Sequence, residues 1–285
     1  MSDALATAYT GARPRLVRVA YSILGSLVEA EDVVSECWFR LRAADEREHV
    51  RDVRGWATVA VARASLDVLK SARVRREAYV GPWLPEPVVT TVDPIDRITL
   101  DESVRYALLV VLEQLTPAER TAWVLHDLFE MPFDHVAAAV GRTPAAVRQL
   151  ARRARQHVAA GTPRLDVDTR THDDVVGAFV LAAAGGDLAG LVAVLDPDVV
   201  LTSDGGGVVS AARHPVRGSD RVARFVLGIA RKNVGNVVSV HVNGEAGLAV
   251  MDGGRIRAVI SLTVSAAHVQ RVDIVMAPAK LPITS

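Results

Sequence analysis

The feature that most constrains this chain is the stretch Pro132–His157, in which two short helical patterns meet at a glycine. The first pattern ends at Gly141, because glycine readily takes the positive φ that a sharp turn requires. The second begins with Thr143 and Pro144, an N-cap residue followed by a proline at the first helical position. Two helices joined so closely predict a helix-turn-helix.

The second helix of this pair is strongly basic. Between Arg142 and Arg164 there are six arginines and no acidic residue. Arginine donates bidentate hydrogen bonds to base edges and neutralises phosphates, so the pattern predicts DNA binding. A helical hairpin with a solvated basic face is an equal alternative on these residues alone. Helical spacing turns Val147, Leu150, Ala151 and Ala154 to the core and Arg148, Gln149, Arg152, Arg153 and Arg155 outward.

Composition narrows the class of protein. The chain has 285 residues, no formal net charge and a single cysteine, Cys37, so an internal disulfide and a four-thiolate metal site are excluded. We expect neither a metal nor a cofactor. There is no signal-peptide pattern and no apolar run of membrane-spanning length, so we expect a cytoplasmic protein.

Residues 1–78 are predicted to be helical, with patterns at Arg13–Leu24, Val28–Ala43 and Asp52–Ala72. The third pattern combines Trp56 with basic residues. Core packing is one interpretation of the tryptophan. The other is that aromatic and basic side chains together hold single-stranded DNA, since bases stack on aromatic rings.

Two segments resemble a known family. VEAEDVVSECWFRL with DVRGWATVAVARASLDVLKSARVRRE resembles region 2 of the extracytoplasmic-function (ECF) sigma factors of bacterial RNA polymerase. LTPAERTAWVLHDLFEMPFDHVAAAVGRTPAAVRQLARRARQHV resembles their region 4 and contains the helix-turn-helix. The resemblance implies two all-α domains that direct core RNA polymerase to promoters, without catalytic residues of their own.

The resemblance also implies roles for individual residues. Polymerase contacts would come from Glu31, Asp32 and Glu36. The −10 element would be melted and captured by Trp56, Arg63, Asp67, Lys70 and Arg73, although many members of the family have asparagine where this chain has Arg63. The −35 element would be contacted by Arg142, Thr143, Arg148, Gln149 and Arg152, with Arg153 and Arg155 on phosphates.

A proline-rich linker separates the two regions. Its prolines disfavour a regular helix, and a segment that only spans distance needs no aromatic residues, so Tyr79 and Trp83 predict docking against another surface. YVGPWLPEP resembles the linker of one sigma group whose members carry an extra C-terminal domain.

After Arg164 the pattern becomes α+β. Helices are predicted at Asp173–Ala184, Asp187–Leu195 and Ser219–Lys232. Strands of a curved antiparallel sheet are predicted at Val199–Thr202, Val208–Ala211, Val237–Val242, Arg255–Val264 and His268–Met276. This part resembles the SnoaL-like domains of the nuclear transport factor family, which implies a cone-shaped fold with an apolar pocket for a small apolar ligand.

Two functions are open for this domain. Some SnoaL-like proteins are cyclases or isomerases, and His241, Asp252, His268 and Asp273 are the acid-base candidates on the strands. We favour the alternative that these side chains alternate outward into solvent. The resemblance to the sigma group implies an autoregulatory role for Asp204, Gly205, Gly206 and Gly207, at an interface with region 2 or with the linker at Tyr79 and Trp83. The tail Ala277–Leu281 resembles that group as well.

The sequence therefore predicts four parts: region 2 (1–78), a linker (79–100), region 4 (101–164) and a regulatory domain with its tail (165–285). The predicted function is an ECF sigma factor, not an enzyme, that binds core RNA polymerase and promoter DNA under control of its fused domain. Two rivals are a cyclase, isomerase or small-molecule sensor tethered to a DNA-binding module, and a transcription factor that binds duplex DNA without polymerase.

Overall fold

The computed structural model describes residues 2–77, 79–90, 104–161, 167–232 and 236–282. Its contacts divide the chain into two compact units. The first unit is Met1–Glu77 with Leu109–Gly161, and the second is Ala78–Leu108 with Thr162–Ser285. The linker thus belongs with the C-terminal part of the chain. Linker residues 91–100 and residues 101–103 at the predicted start of region 4 lie outside the described residues.

Three long helices open the first unit: α1 (Ser2–Leu24), α2 (Leu27–Arg47) and α3 (Val53–Glu77). Gly25 separates α1 from α2 with a φ of 69°, a value that favours glycine. Ser26 caps α2 by accepting a hydrogen bond from the Glu29 amide at 3.3 Å. All three helices extend beyond the predicted segments, α1 most of all, since it starts at Ser2.

Four shorter helices follow: α4 (Tyr106–Leu112), α5 (Pro117–Trp123), α6 (Phe133–Val140) and α7 (Pro144–Gly161). A capping box opens α5, in which the Thr116 hydroxyl accepts from the Glu119 amide and the Glu119 carboxylate accepts from the Thr116 amide. A π-helical turn at Val124–Leu128 follows α5 without a gap, so the helical path runs from Pro117 to Leu128.

Two arginines connect the helices α1–α3 of the first unit with its helices α5–α7. Arg120 on α5 is almost fully buried, donates from Nε to the Ser22 carbonyl at 3.1 Å and pairs with Glu113. Arg15 on α1 donates to the Phe129 carbonyl at 3.2 Å. Each arginine satisfies a carbonyl at or just past a helix end, so α1–α3 and α5–α7 pack as one body. Among the described helices, none is long and apolar enough to span a membrane.

In its described residues, the second unit combines three α-helices with a seven-stranded sheet. The helices are α8 (Thr169–Gly185), α9 (Leu188–Val194) and α10 (Ser219–Lys232). The sheet has the order β1-β4-β5-β6-β7-β2-β3. Its strands are β1 (Val89–Thr90), β2 (Leu195–Asp204), β3 (Val216–Arg217), β4 (Asn236–Val242), β5 (Glu245–Asp252), β6 (Arg255–Ser265) and β7 (His268–Val275).

The sheet differs from the prediction in its set of strands and in the direction of their pairing. Residues 208–211 form no strand, because the backbone turns back there and the Val209 amide donates to the Gly205 carbonyl at 2.8 Å. Strand β5 was not predicted, and β1 comes from the linker. The sheet is mixed, since β2 and β7 pair in parallel whereas the other neighbours are antiparallel.

One core joins the helices and the sheet of the second unit. Phe179 of α8 and Leu191 of α9 pack in the same cluster as Leu262, Val272 and Ile274 of the central strands. On β6 and β7 these residues alternate with polar ones, as expected for a sheet with one apolar face. The predicted class, helical domains followed by an α+β domain, is confirmed.

Candidate nucleic-acid interface and linker-binding site

An open cavity of about 710 Å³ lies beside Trp56, which is partly buried at the start of α3. The loop between α2 and α3 forms one wall with His49 and Arg51. Arg63 of α3 and His135 of α6 also line the cavity. An aromatic ring among basic side chains is suited to a stacked base and its phosphate.

The other predicted −10 residues lie along α3. The Arg63 guanidinium donates a hydrogen bond to the Ala138 carbonyl on α6 at 2.5 Å. Arg63 is therefore bonded to the first helix of the helix-turn-helix. Lys70 and Asp67 form an exposed ion pair at 3.0 Å, and such pairs contribute little to stability. The Arg73 side chain lies outside the described residues.

The acidic residues predicted to contact polymerase lie on the outward side of α2. The opposite side buries Ala30, Val33 and other apolar residues. Glu31 pairs with Arg13 of α1, and Glu36 pairs with Arg40 on the next turn at 2.6 Å. Asp32 is exposed between them. The helix thus presents its acids, together with the exposed ring of Phe39, on one accessible surface.

The helix-turn-helix forms as the sequence predicts. Gly141 ends α6 with a φ of 70°, and the Thr143 hydroxyl accepts from the Ala146 amide at 3.2 Å to cap α7. Arg148 lies over the Phe133 ring at 5.3 Å from its centroid. Val147, Ala151 and Ala154 are buried and Leu150 is partly buried, whereas Arg142, Thr143, Arg148, Gln149 and Arg152 are exposed.

The two arginines predicted to bind phosphates also form ion pairs within the domain. Arg153 Nε donates to the Glu119 carboxylate of α5 at 2.8 Å, and Arg155 pairs with Asp127 in the π-helical turn. Burial raises the pKa of Glu119, but hydrogen bonds from Arg153 and Thr116 outweigh it and hold the pKa below its ordinary value. These two arginines therefore fasten α7 to its scaffold.

A buried carboxylate organises the linker-binding site of the second unit. Asp204, at the end of β2, is 1% exposed. Its Oδ1 accepts from the Tyr79 hydroxyl at 2.6 Å and from the Gly206 amide at 2.9 Å. Its Oδ2 accepts from the Leu84 amide at 2.9 Å and from Lys280 Nζ at 2.6 Å. Linker, glycine loop and tail thus meet at one carboxylate, which we call the Asp204 clasp.

The three glycines after Asp204 let the linker and tail approach closely. A Cβ on Gly205 would lie 2.0 Å from the Val209 carbonyl oxygen. Gly206 and Gly207 have φ values of 69° and 72°, and a Cβ on Gly206 would lie 3.0 Å from that of Ala277 in the tail. A larger residue at these positions would be strained or would displace its neighbours.

Among the described hydrogen-bond partners of Asp204, only Lys280 is positively charged. Its ammonium lies 3.8 Å from the centroid of the Trp83 ring and also donates to the Leu84 carbonyl at 2.6 Å. Cation–π attraction is strengthened where water is excluded. Burial, followed by the hydrogen bond to the Asp204 carboxylate, raises the pKa of Tyr79.

The acid-base candidates do not form a cluster. Asp252 pairs with Arg257 at the surface, His268 is exposed at the start of β7, and His241 is partly buried on β4. Asp273 is fully buried and pairs with Arg271 at 2.9 Å, and burial raises its pKa. The expectation that all four side chains face solvent is therefore wrong for Asp273. Within the described residues no hydrogen bond joins any two of the four.

Comparison with known proteins agrees with the geometry of both helical parts. Residues 8–75 match the Sigma-70 region 2 family, and residues 105–158 match the Sigma-70 region 4 family. The ECF RNA polymerase sigma factor SigJ of Mycobacterium tuberculosis is 43% identical over 256 residues, which cover 85% of this chain and 81% of SigJ. The chain belongs to the ECF sigma factor family.

Similarity extends through the C-terminal domain of this sigma factor. A probable ECF sigma factor SigI of Mycobacterium tuberculosis is 35% identical over 283 residues, covering 98% of this chain and 95% of SigI. The crystal structure of Mycobacterium tuberculosis SigJ matches with a TM-score of 0.78 and 38% identity, covering 95% of each chain. Sigma factors direct core RNA polymerase to promoters and are initiation factors, not enzymes, so the predicted class of function is confirmed.

Sequence reasoning missed several partners in these sites. Lys280 and Leu84 were not named as partners of Asp204, although both lie in quoted motifs, APAKL and YVGPWLPEP. The buried Arg120 carried no recognisable signal, since an arginine on a helix is usually exposed. The ties of Arg153 and Arg155 depend on acids in a preceding helix, which the spacing of α7 does not reveal.

Proposed function

We propose that this sigma factor is autoregulated through its own linker, which the C-terminal domain holds at the Asp204 clasp. The observation that carries the proposal is that one buried carboxylate accepts hydrogen bonds from Tyr79, Leu84 and Lys280. The linker is the covalent connection between the −10-reading and −35-reading helices. A domain that holds the linker therefore controls how far apart those helices can move.

We propose that promoter and polymerase contacts are divided among three helices. The acids Glu31, Asp32 and Glu36 of α2 bind core RNA polymerase. Around the cavity at Trp56, α3 melts and captures the −10 element with Arg63, Asp67, Lys70 and Arg73. The exposed residues Arg142, Thr143, Arg148, Gln149 and Arg152 read the −35 element. Arg153 and Arg155 contribute chiefly by holding α7, since each is paired with an acid of its own domain.

Promoter geometry requires a rearrangement of the first unit. The −35 and −10 elements lie about 25 base pairs apart, which is about 85 Å at about 3.4 Å per base pair. In the first unit, Arg63 of α3 touches the backbone of α6, and His135 lines the same cavity as Trp56. We infer that this unit is a closed state, in which α6 covers part of the −10-reading surface. Opening on polymerase and promoter would free Arg63.

Transcription with purified core RNA polymerase tests this function. The template is the DNA upstream of the chain's own gene, and the comparison is between the full chain and a chain that ends at Met276. Because this truncation removes Lys280, we expect promoter-dependent transcript from both forms but in different amounts. The variant Ala279→Ser serves as a control, since Ala279 is exposed on the same turn.

Equal transcript from the full and truncated chains at equal protein levels would refute regulation by the tail. Absence of transcript, together with absence of core binding, would refute the promoter contacts as well. The small apolar ligand expected from the resemblance stays a prediction, and so does the cytoplasmic location. Phe179, Leu191 and Leu227 belong to the buried apolar cluster between the helices and the sheet.

A further inference from the structure

The turn between β4 and β5 contacts the linker at a second place, away from the Asp204 clasp. Asn243 and Gly244 form this two-residue turn, with φ values of 51° and 85°. Positive φ at both positions is typical of a tight hairpin turn, in which asparagine followed by glycine is favoured. Asn243 is nevertheless 4% exposed, whereas a residue at the tip of a hairpin usually lies in solvent.

The buried side-chain amide of Asn243 joins the linker to the start of region 4. Its Oδ1 accepts from the Val88 amide at 3.1 Å, and its Nδ2 donates to the Val104 carbonyl at 3.1 Å. The Asn243 backbone amide donates to the Val88 carbonyl at 2.8 Å. The donor at Val88 and the acceptor at Val104 fix which end of the side-chain amide faces each of them.

Two further contacts hold the start of region 4 near the same part of the linker and the β4–β5 turn. The Tyr106 hydroxyl, at the start of α4, donates to the Pro85 carbonyl at 2.8 Å in a buried position. Arg105 lies 3.5 Å from the Glu245 carboxylate on β5. The chain thus leaves this place at Pro85 and Val88 and returns to it at Val104 and Tyr106, at the start of region 4.

The closed loop removes most of the reach of the linker. The 21 residue steps from Pro85 to Tyr106 would span roughly 70 Å if extended, at about 3.4 Å per residue. With the Tyr106 hydroxyl bonded to the Pro85 carbonyl, these residues add almost nothing to the separation of regions 2 and 4. Regions 2 and 4 can reach promoter elements about 85 Å apart only if these residues are released and can extend.

We propose that the β4–β5 turn is a linker clamp, with Asn243 as its positioning residue, and that the clamp must release before regions 2 and 4 can engage both promoter elements. The effect on transcription rests on the function proposed above, whereas the clamp itself does not. In the free protein the clamp lowers activity, because it keeps the start of region 4 at the C-terminal domain.

Amide hydrogen exchange of the full-length chain tests the clamp directly. Asn243→Gly keeps the left-handed backbone and removes the side-chain amide, so it should fold as the wild type does. Asn243→Asp keeps the shape but places a carboxylate oxygen against the Val104 carbonyl. Loss of the side-chain acceptor should make the Val88 amide exchange roughly tenfold faster in Asn243→Gly, whereas in Asn243→Asp the Val88 amide keeps an acceptor and only the bond to the Val104 carbonyl is lost. The matched control is Gly253→Asn, in the β5–β6 turn, where a Cβ meets no neighbour within 4 Å.

Transcription by the same proteins separates the clamp from its regulatory effect. At limiting sigma factor we expect severalfold more promoter-dependent transcript from Asn243→Gly than from wild type or the control. Unchanged exchange at Val88 in Asn243→Gly would overturn the clamp, whatever the transcription result. Faster exchange with unchanged transcript would overturn its role in promoter engagement. Absence of transcript from wild type would count against the proposed function alone, since the exchange result would still decide the clamp.

Discussion

Replacing Lys280 by methionine should loosen the Asp204 clasp more than any nearby surface change. Methionine fills a similar volume but leaves the buried Asp204 carboxylate with three hydrogen-bond donors and without the ammonium at 2.6 Å. Breaking a buried ion pair by removing one partner costs about 3–5 kcal/mol. We take the lower end, about 3 kcal/mol, because the three remaining donors still stabilise the charge.

This loss is measured by hydrogen exchange at the Leu84 amide, which donates to Asp204 Oδ2. About 3 kcal/mol corresponds to roughly 100-fold faster exchange, since about 1.4 kcal/mol is a factor of ten. Asp204→Asn and the double variant Asp204→Asn/Lys280→Met complete a double-mutant cycle, for which we expect a coupling energy of about 2 kcal/mol. Ala279→Ser, on the same exposed turn, should leave the exchange unchanged.

If Lys280→Met changed the hydrogen-exchange rate of the Leu84 amide by less than threefold, the reasoning would be refuted. It would mean that Lys280 is not a partner that Asp204 needs. A coupling energy near zero would lead to the same conclusion, because it would show that the two charges act independently.

Three further predictions concern the first unit. Arg152→Ala should reduce −35-dependent transcription roughly 5- to 100-fold without lowering the urea midpoint of unfolding, because a base-reading arginine provides about 1–3 kcal/mol of discrimination. Arg153→Ala should instead lower the urea midpoint, because it removes the ion-pair partner of Glu119. If both variants reduced transcription equally and neither changed the midpoint, the assignment of Arg152 to DNA and Arg153 to the scaffold would be contradicted. The pKa of Glu119 is lowered from 4.5, so its contribution to stability is present above that value and is lost as the pH falls through the folded-state pKa. Glu119→Gln should therefore weaken the loss of stability on acidification below about pH 4.5, and an unchanged acid limb in urea titrations would refute it. Arg120→Met removes the donor to the Ser22 carbonyl and should lower the free energy of unfolding by roughly 2–4 kcal/mol, whereas a change below about 0.5 kcal/mol would place this arginine outside the packing core.

Local signals in the sequence were enough to predict the helix-turn-helix. Gly141, Thr143 and Pro144 mark its turn by their own backbone preferences, and the exposed residues of α7 follow from helical spacing. The docking role of Tyr79 and Trp83 was expected for a similar reason, because two aromatic residues in a proline-rich linker need a surface to contact.

Long-range partners could not be predicted in this way. Lys280 and the Leu84 carbonyl are 196 residues apart in sequence, and Arg153 and Glu119 are 34 apart. The residue pattern of α7 alone therefore assigned Arg153 to DNA. Strand β5 was missed although its Asn-Gly turn is a hairpin signal, and residues 208–211 were taken for a strand because their valines hide a glycine-dependent turn.

The separation of regions 2 and 4 in the free and promoter-bound states tests the account most directly. The only cysteine, Cys37, is buried, so a fluorophore pair can be placed by Ala43→Cys on α2 and Gln156→Cys on α7, both exposed positions. Energy transfer should be efficient in the free chain and should drop sharply with core RNA polymerase and promoter DNA, as the reading helices move about 85 Å apart. Efficient transfer in a complex that makes promoter-dependent transcript would contradict the opening of the first unit and the release of the clamp, and inefficient transfer in the free chain would contradict the closed state.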